Sequence, residues 1–258
     1  MGFYYYPYSG LTNAILALGI GLFILFKGYK SPINRGYAFF AFAVSFWALN
    51  YFVWLTVRDY NKALLFIRLA MVGAILISPA FLYFVSCLLD QDKRIIHLLN
   101  VILGVVFISF SFNHIFIQKV EPRLFFPFWP VPGWLFHFML IYFVLNLLYS
   151  QVLLLHEIKR SSGTRKNQLK YVFAGILIGF IGGCTNYFLW YKIPIPPFLN
   201  ILVSGYVVCI AYAIFRHNLM DIEVVIRRTA IFAGLFAFVY GTFTVVTVIG
   251  QEFFRNSL

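Results

Sequence analysis

Charged residues are scarce in this sequence, and acidic residues are scarcer than basic ones. Asp and Glu together number 8 and Lys and Arg 20, so charged residues make up only 11% of the 258-residue chain. Soluble proteins carry about 25%. The chain also lacks the H-E-x-x-H, G-x-S-x-G and P-loop patterns, and none of its acids is paired inside an apolar run. The sequence therefore predicts no catalytic residues and no cofactor for this chain.

Cysteine is rare as well, and its spacing excludes a common class of metal site. Cys87, Cys184 and Cys209 lie far apart, each inside an apolar segment, and no C-x-x-C pair occurs. We expect these cysteines to act as small packing residues, and we predict no bound metal.

Apolar residues, in contrast, are in excess. Hydrophobic residues make up 62% of the chain and aromatic residues 21%, whereas soluble proteins average about 45–50% apolar residues. A chain of 258 residues cannot bury so many apolar side chains in one core. We therefore expect the lipid bilayer to be their solvent and the partner of this chain. The net charge of +12 would also suit nucleic acid. However, the basic residues lie almost wholly between apolar runs, where they set membrane topology. We therefore predict no nucleic-acid partner.

Seven apolar runs approach the roughly 20 residues that a helix needs to cross a bilayer. They cover residues 11–26, 36–55, 63–89, 95–112, 134–156, 171–191 and 198–215. An eighth run covers residues 229–249. The predicted fold class is all-α, a polytopic transmembrane helix bundle with seven core spans plus an eighth. The long connection at residues 113–133 is rich in Phe and Pro, and we expect it to be a loop lying on the membrane interface.

The distribution of Lys and Arg predicts the orientation of the bundle. The first, third, fifth and seventh connections carry 13 of these residues, whereas the N-terminus and the remaining connections carry five. Basic residues are enriched in cytoplasmic loops. The N-terminus is therefore expected outside, and the segment after the seventh span inside.

Polar and aromatic side chains collect in the half of the bundle that this orientation places outside. One interpretation is an outward-open pocket with Arg68 as its cation and aromatic walls, suited to a small anionic or amphipathic ligand, including a lipid. In the other, Arg68 extends to the lipid headgroups and the Trp residues form an ordinary interfacial belt. The candidate ligand-binding residues are Trp47, Asn50, Arg68, His137, Asn186 and Trp190.

Glycines recur at four-residue spacing in the sixth span. Gly175, Gly179 and Gly183 form two overlapping G-x-x-x-G patterns on one helical face. Such a face allows close helix approach. It predicts packing within the bundle, with homodimerisation as the alternative.

Two motifs near the end of the bundle carry a family resemblance. The first is RKNQLKYVFAG, which precedes the sixth span, and the second is AYAIFRHNLMDI, which ends the seventh. With an Arg and a Pro in the third span, here Arg68 and Pro79, the chain resembles the seven-transmembrane N-terminal region of bacterial sensor histidine kinases. The residues that match the second motif are Tyr212, Ala213, Ile214, Arg216, His217, Leu219, Met220, Asp221 and Ile222.

The resemblance implies a sensory module of the bacterial inner membrane in a two-component system. Residues 1–215 would be the seven-helix sensor bundle, residues 216–228 an amphipathic cytoplasmic connector, and residues 229–258 an eighth span and tail leading into a further C-terminal part. The output would be a cytoplasmic kinase or other signalling domain, in cis or in trans. The connector residues expected to carry the signal are Arg216, His217, Leu219, Asp221 and Ile222. A passive interfacial connector fits the same pattern.

Two other function classes fit a multi-span chain. A small transporter or permease subunit is the main alternative, but ion-coupled transport usually requires acidic or unwound polar groups near the midplane, and the spans contain no acid there. A membrane-embedded enzyme would need acids, histidines or cysteines clustered at one depth, and here they are scattered.

Overall fold

The computed structural model describes residues 3–217. Within them the chain forms seven α-helices and one antiparallel β-hairpin. The elements, in chain order, are α1 (Tyr5–Gly28), α2 (Pro32–Thr56), α3 (Tyr60–Leu88), α4 (Arg94–Phe110), β1 (Ile117–Arg123), β2 (Phe126–Pro132), α5 (Trp134–Arg160), α6 (Gly163–Cys184) and α7 (Val203–His217). Leu219, Asp221 and Ile222 of the predicted connector and the eighth apolar run lie outside the described residues.

Five of these helices are long and apolar enough to cross a membrane. They are Tyr5–Gly28, Pro32–Thr56, Tyr60–Leu88, Trp134–Arg160 and the stretch Gly163–Tyr191, in which α6 continues into two short 3₁₀ turns. Helix α4 and the segment Asn200–Ala213 are apolar but shorter. The chain is therefore a helical membrane bundle, and crossing by seven or eight segments remains a prediction.

Helix α2 lies at the centre of the first three helices. Pro32 occupies its first turn, where a missing N–H costs nothing, and Asp59 caps the start of α3 by accepting from the Lys62 amide at 2.8 Å. Two-thirds of the most apolar part of α2 is buried. A Cβ atom at Gly73 of α3 would lie 2.7 Å from the Trp47 amide nitrogen. The backbones of α2 and α3 therefore approach closely at that point.

The glycine face of α6 packs against α7. A Cβ atom at Gly175 would lie 2.5 Å from Cβ of Cys209, and one at Gly179 would lie 3.4 Å from Cβ of Tyr206. At the last close approach it is Gly182, and not Gly183, that lies against the backbone at Leu199. The prediction of packing within the bundle is confirmed for the first two glycines, and Gly183 has only Val203 Cγ2 near it, at 3.6 Å from an added Cβ.

The connection expected to be an interfacial loop is an ordered hairpin. Its strands pair Ile117 with Pro132 and Glu121 with Trp129. Prolines argue against a central strand, but each strand of a two-stranded ribbon keeps one unpaired edge where proline is tolerated. Several of its apolar side chains are buried against the helices, so the hairpin belongs to the packed structure: Phe116, Ile117, Val120, Phe126 and Trp129.

Candidate functional site

The hairpin covers the end of the bundle at which α1 and α3 begin and α2 ends. The fully buried Trp129 ring lies 4.8 Å from the ring of Trp54 at the end of α2. The Trp54 Nε1–H group donates to the carbonyl oxygen of Phe128 at 2.7 Å. On the α1 side, the rings of Tyr6 and Phe126 are 5.1 Å apart. Aromatic packing and one partly buried hydrogen bond therefore attach the hairpin to two helices.

Arg68 attaches the first strand to α3. Its Nη2 group donates to the carbonyl oxygen of Ile117 at 3.2 Å. Its Nε atom is buried and has no hydrogen-bond partner among residues 3–217. The predicted ligand cation thus lies beneath the hairpin, with part of its donor capacity unused.

Three charged side chains of the first strand interact with one another. Lys119 Nζ lies 3.2 Å from a carboxylate oxygen of Glu121, and Arg123 contacts the other oxygen. The hydrogen bond from Lys119, aided by the charges of Arg123 and Lys192, holds the pKa of Glu121 below its ordinary value. Glu121 is therefore ionised at neutral pH, and it links residues of the first strand to one another.

His137 and Trp190 tie the start of α5 to the end of α6. The Phe136 and Trp190 rings are stacked, with centroids 4.1 Å apart and planes within 6°. Next to them, Nδ1 of the exposed His137 lies 2.8 Å from the hydroxyl oxygen of Tyr191. These two predicted residues share one contact region, which adjoins the second strand.

A buried polar network lies where α7 begins, and we call Ser9, Asn13, Asn186, Asn200 and Ser204 the polar clamp. All five are at most 6% exposed. Asn200 donates to Ser9 at 2.9 Å and accepts from Asn186 at 2.9 Å. Asn13 donates to the Asn200 carbonyl at 2.8 Å and accepts from Ser204 at 2.5 Å. The clamp joins α1, the turn after α6 and the start of α7.

The two remaining predicted residues lie on α2, deeper in the bundle. Trp47 lines an internal cavity between the helices. Asn50, less than one turn further along, donates to the Phe46 carbonyl of its own helix at 2.8 Å. The six predicted residues therefore do not form one site. Arg68 contacts the hairpin, and Trp47 lines the cavity. His137 and Trp190 lie where the start of α5 meets the turns after α6, and Asn186 belongs to the clamp.

The sequence interpretation did not include the α1 members of the clamp. Ser9 and Asn13 are four residues apart and thus share one face of α1. A pair of polar residues at that spacing in an otherwise apolar helix is the signal that could have identified them.

A comparison with models of protein families returns one family for most of the chain. The model described as the N-terminal 7TM region of histidine kinase matches residues 11–223. No curated protein and no solved structure matches the chain.

Proposed function

The chain belongs to the family of N-terminal 7TM regions of histidine kinases, and we propose that its polar clamp controls the position of α7 and so passes a stimulus towards the cytoplasm. A member of this family is the sensory membrane module of a sensor kinase and a multi-pass membrane protein. The part that binds and hydrolyses ATP is not expected among the residues matched here.

The position of the clamp is the observation that carries the proposal. Asn200 and Ser204 stand at the start of α7 and reach α1 and the turn after α6 through side-chain hydrogen bonds. Further along, α7 packs closely on Gly175 and Gly179 of α6. A buried network that is only partly satisfied is costly. Asn186 Oδ1 already lacks a partner among residues 3–217, so a movement of α7 that breaks further clamp bonds must replace them with new ones, which favours discrete positions over gradual drift.

We place stimulus binding at the hairpin-covered end, with Arg68 as its central candidate. Arg68 supports this placement, because its guanidinium has one unused buried donor and a single bond to the hairpin backbone. A small anionic or amphipathic ligand that pairs with Arg68 would compete with that bond. Such a ligand shifts the bundle only if it binds one packing better than the other. Trp47, Asn50, His137, Asn186 and Trp190 stay proposed ligand-binding residues at their separate positions in the bundle.

The remaining features of the function are inferred from the charge distribution and the family. The hairpin and the clamp face the outside, and the connector that follows α7 enters the cytoplasm, as the Lys and Arg counts favour. A cytoplasmic kinase domain follows the membrane part, and the sensor acts as a homodimer in the bacterial inner membrane. Arg216, His217, Leu219, Asp221 and Ile222 carry the displacement of α7 to that domain.

Phosphorylation in membranes tests the proposal. Vesicles containing the full-length gene product would be supplied with ATP, and phosphate incorporation measured for wild type, Asn200→Leu and Asn146→Leu. Asn146 is the matched control, since it is also buried and donates only to the Tyr142 carbonyl of its own helix among the described residues. We expect Asn200→Leu to change stimulus-independent phosphorylation by about five-fold or more, the lower range of typical coupling energies, and Asn146→Leu to leave it unchanged. Equal rates in all three proteins would contradict a role for the clamp.

A further inference from the structure

A partly open apolar cavity lies in the middle of the bundle, below the clamp. Its volume is about 50 Å³, and helices α2, α3, α5, α6 and α7 line it. Val44, Ala74 and Ile176 line it, and each stands near the centre of its helix. None of the 14 described residues that line the cavity is charged. The space therefore suits an uncharged molecule and excludes the anionic ligands considered for Arg68.

One polar group on the cavity wall has no partner. Tyr206 of α7 lines the cavity and is 2% exposed, and its hydroxyl has no hydrogen-bond partner among residues 3–217. The ring of Phe40, also on the wall, lies 5.0 Å from the Tyr206 ring. Buried hydroxyl groups are rarely left unpaired, because they lose their hydrogen bonds to water. The unpaired hydroxyl is the second observation that points to an occupant.

The cavity reaches the outer surface of α6. Cys184 lines the cavity and is itself exposed. Its exposed neighbours are apolar, among them Ile181 on α6 and Phe188 in the turns that follow. Since the stretch Gly163–Tyr191 is long and apolar enough to span a membrane, this surface faces lipid. A molecule dissolved in the bilayer could thus reach the cavity without crossing the hairpin.

We propose that this cavity binds the oxygen-bearing end of an uncharged aliphatic molecule from the bilayer, whose chain lies along the apolar outer face of α6, and that the Tyr206 hydroxyl is the partner of that oxygen. Tyr206 stands on α7 and packs against Gly179. The bound molecule therefore contacts directly the helix that leads to the cytoplasm. Only this signalling consequence rests on the proposed sensory function, and binding itself does not.

Photolabelling of the full chain in nanodiscs tests the binding. The probe is octanol bearing a diazirine, and labelled residues are located by mass spectrometry in the presence of excess octanol or octane. We expect labels on cavity residues such as Ile77, Phe180 and Cys184, with octanol competing about five-fold better than octane, as one net hydrogen bond allows. Tyr206→Phe should abolish that preference. Tyr51→Phe is the control, because its hydroxyl is equally buried and unpaired but does not line the cavity.

A second variant fills the space. A Cβ atom at Gly183, on the cavity wall, would have Val203 Cγ2 at 3.6 Å as its only close neighbour. We therefore expect the side chain of Gly183→Leu to extend into the cavity. Gly19→Leu is the matched control, since Gly19 is exposed on α1 with nothing within 4 Å of an added Cβ. We expect labelling of the cavity to be lost in the first variant and kept in the second.

The results separate the binding proposal from the sensory function. Labels confined to lipid-facing residues, or labels that Gly183→Leu leaves unchanged, would overturn the binding proposal and leave a cavity that holds only water. Equal competition by octanol and octane in wild type would overturn the role of Tyr206. If octanol competes with the labelling of cavity residues but has no effect on phosphorylation in vesicles, binding is supported and its signalling consequence is overturned.

Discussion

Arg165 donates a hydrogen bond from Nη2 to the carbonyl oxygen of Leu88, and thereby ties the start of α6 to the last turn of α3. The last carbonyl groups of a helix have no partner within the helix, and a cation there also interacts favourably with the helix dipole. Arg165 begins the RKNQLKY motif, which the sequence analysis singled out by resemblance. In the structure this arginine links α3 and α6 at the end of the bundle opposite the hairpin.

Loss of this bond is expected to destabilise the bundle. Arg165→Ala leaves the Leu88 carbonyl without its charged donor. A hydrogen bond to a charged group contributes about 1.5–3 kcal/mol, and partial exposure of Arg165 reduces this, so we expect a loss of about 1 kcal/mol in the free energy of unfolding. Thermal unfolding in nanodiscs is the measurement, with Lys166→Ala in the same first turn of α6 as the control. Equal midpoints for both variants would show that the bond contributes nothing measurable.

Trp54→Phe should loosen the hairpin and leave the helices intact. The phenylalanine ring keeps much of the packing against Trp129 but lacks the Nε1–H donor to the Phe128 carbonyl. One neutral hydrogen bond is worth about 1 kcal/mol, which corresponds to about five-fold faster exchange of the hairpin amides by local opening. Hydrogen–deuterium exchange of the peptides that cover residues 117–132 measures this effect.

The control for that experiment is Trp134→Phe, because Trp134 is exposed at the start of α5. Unchanged exchange in this variant, with faster exchange in Trp54→Phe, would assign the effect to the hydrogen bond. If both variants exchange alike, the Trp54 hydrogen bond contributes nothing measurable to holding the hairpin.

Acid should weaken the hairpin through Glu121. The pKa of Glu121 is lower in the folded chain than its ordinary value of 4.5. Its carboxylate therefore contributes stability that is fully present above pH 4.5 and is lost as the pH falls through the lowered pKa. We expect faster exchange of the hairpin amides, corrected for intrinsic rates, as the pH is lowered below 4.5. The expected size is small, because Glu121 is close to solvent.

Glu121→Gln isolates this contribution. The amide keeps the shape of the side chain but does not titrate, so the pH dependence of hairpin exchange should disappear, and exchange at neutral pH should match that of wild type at low pH. Persistence of the acid effect in Glu121→Gln would assign it to another group.

Hydropathy was sufficient to locate the helices but not their neighbours. Every predicted core span overlaps an observed helix, because lipid requires each apolar segment to satisfy its own backbone. Which polar side chains meet depends on the rotation of each helix, and only the packed structure fixes that. Arg68 and Asn186 illustrate the difference. The sequence marks both as candidates for one ligand site, yet Arg68 contacts the hairpin and Asn186 belongs to the clamp. Proline and aromatic content concealed the hairpin itself, since neither strand alternates regularly.

The orientation of the bundle is the prediction with the widest consequences. The structure places the hairpin and the α5–α6 connection at opposite ends of α5, so one labelling experiment on intact cells decides which end is outside. In a background with Cys87, Cys184 and Cys209 replaced by Ala, Gln118→Cys lies on the hairpin and Ser161→Cys in the α5–α6 connection. We expect a membrane-impermeant maleimide to label the first and to label the second only after the cells are opened. The Lys and Arg counts favour this result, and the reverse pattern would place the clamp and the hairpin in the cytoplasm, where an external stimulus could not reach Arg68.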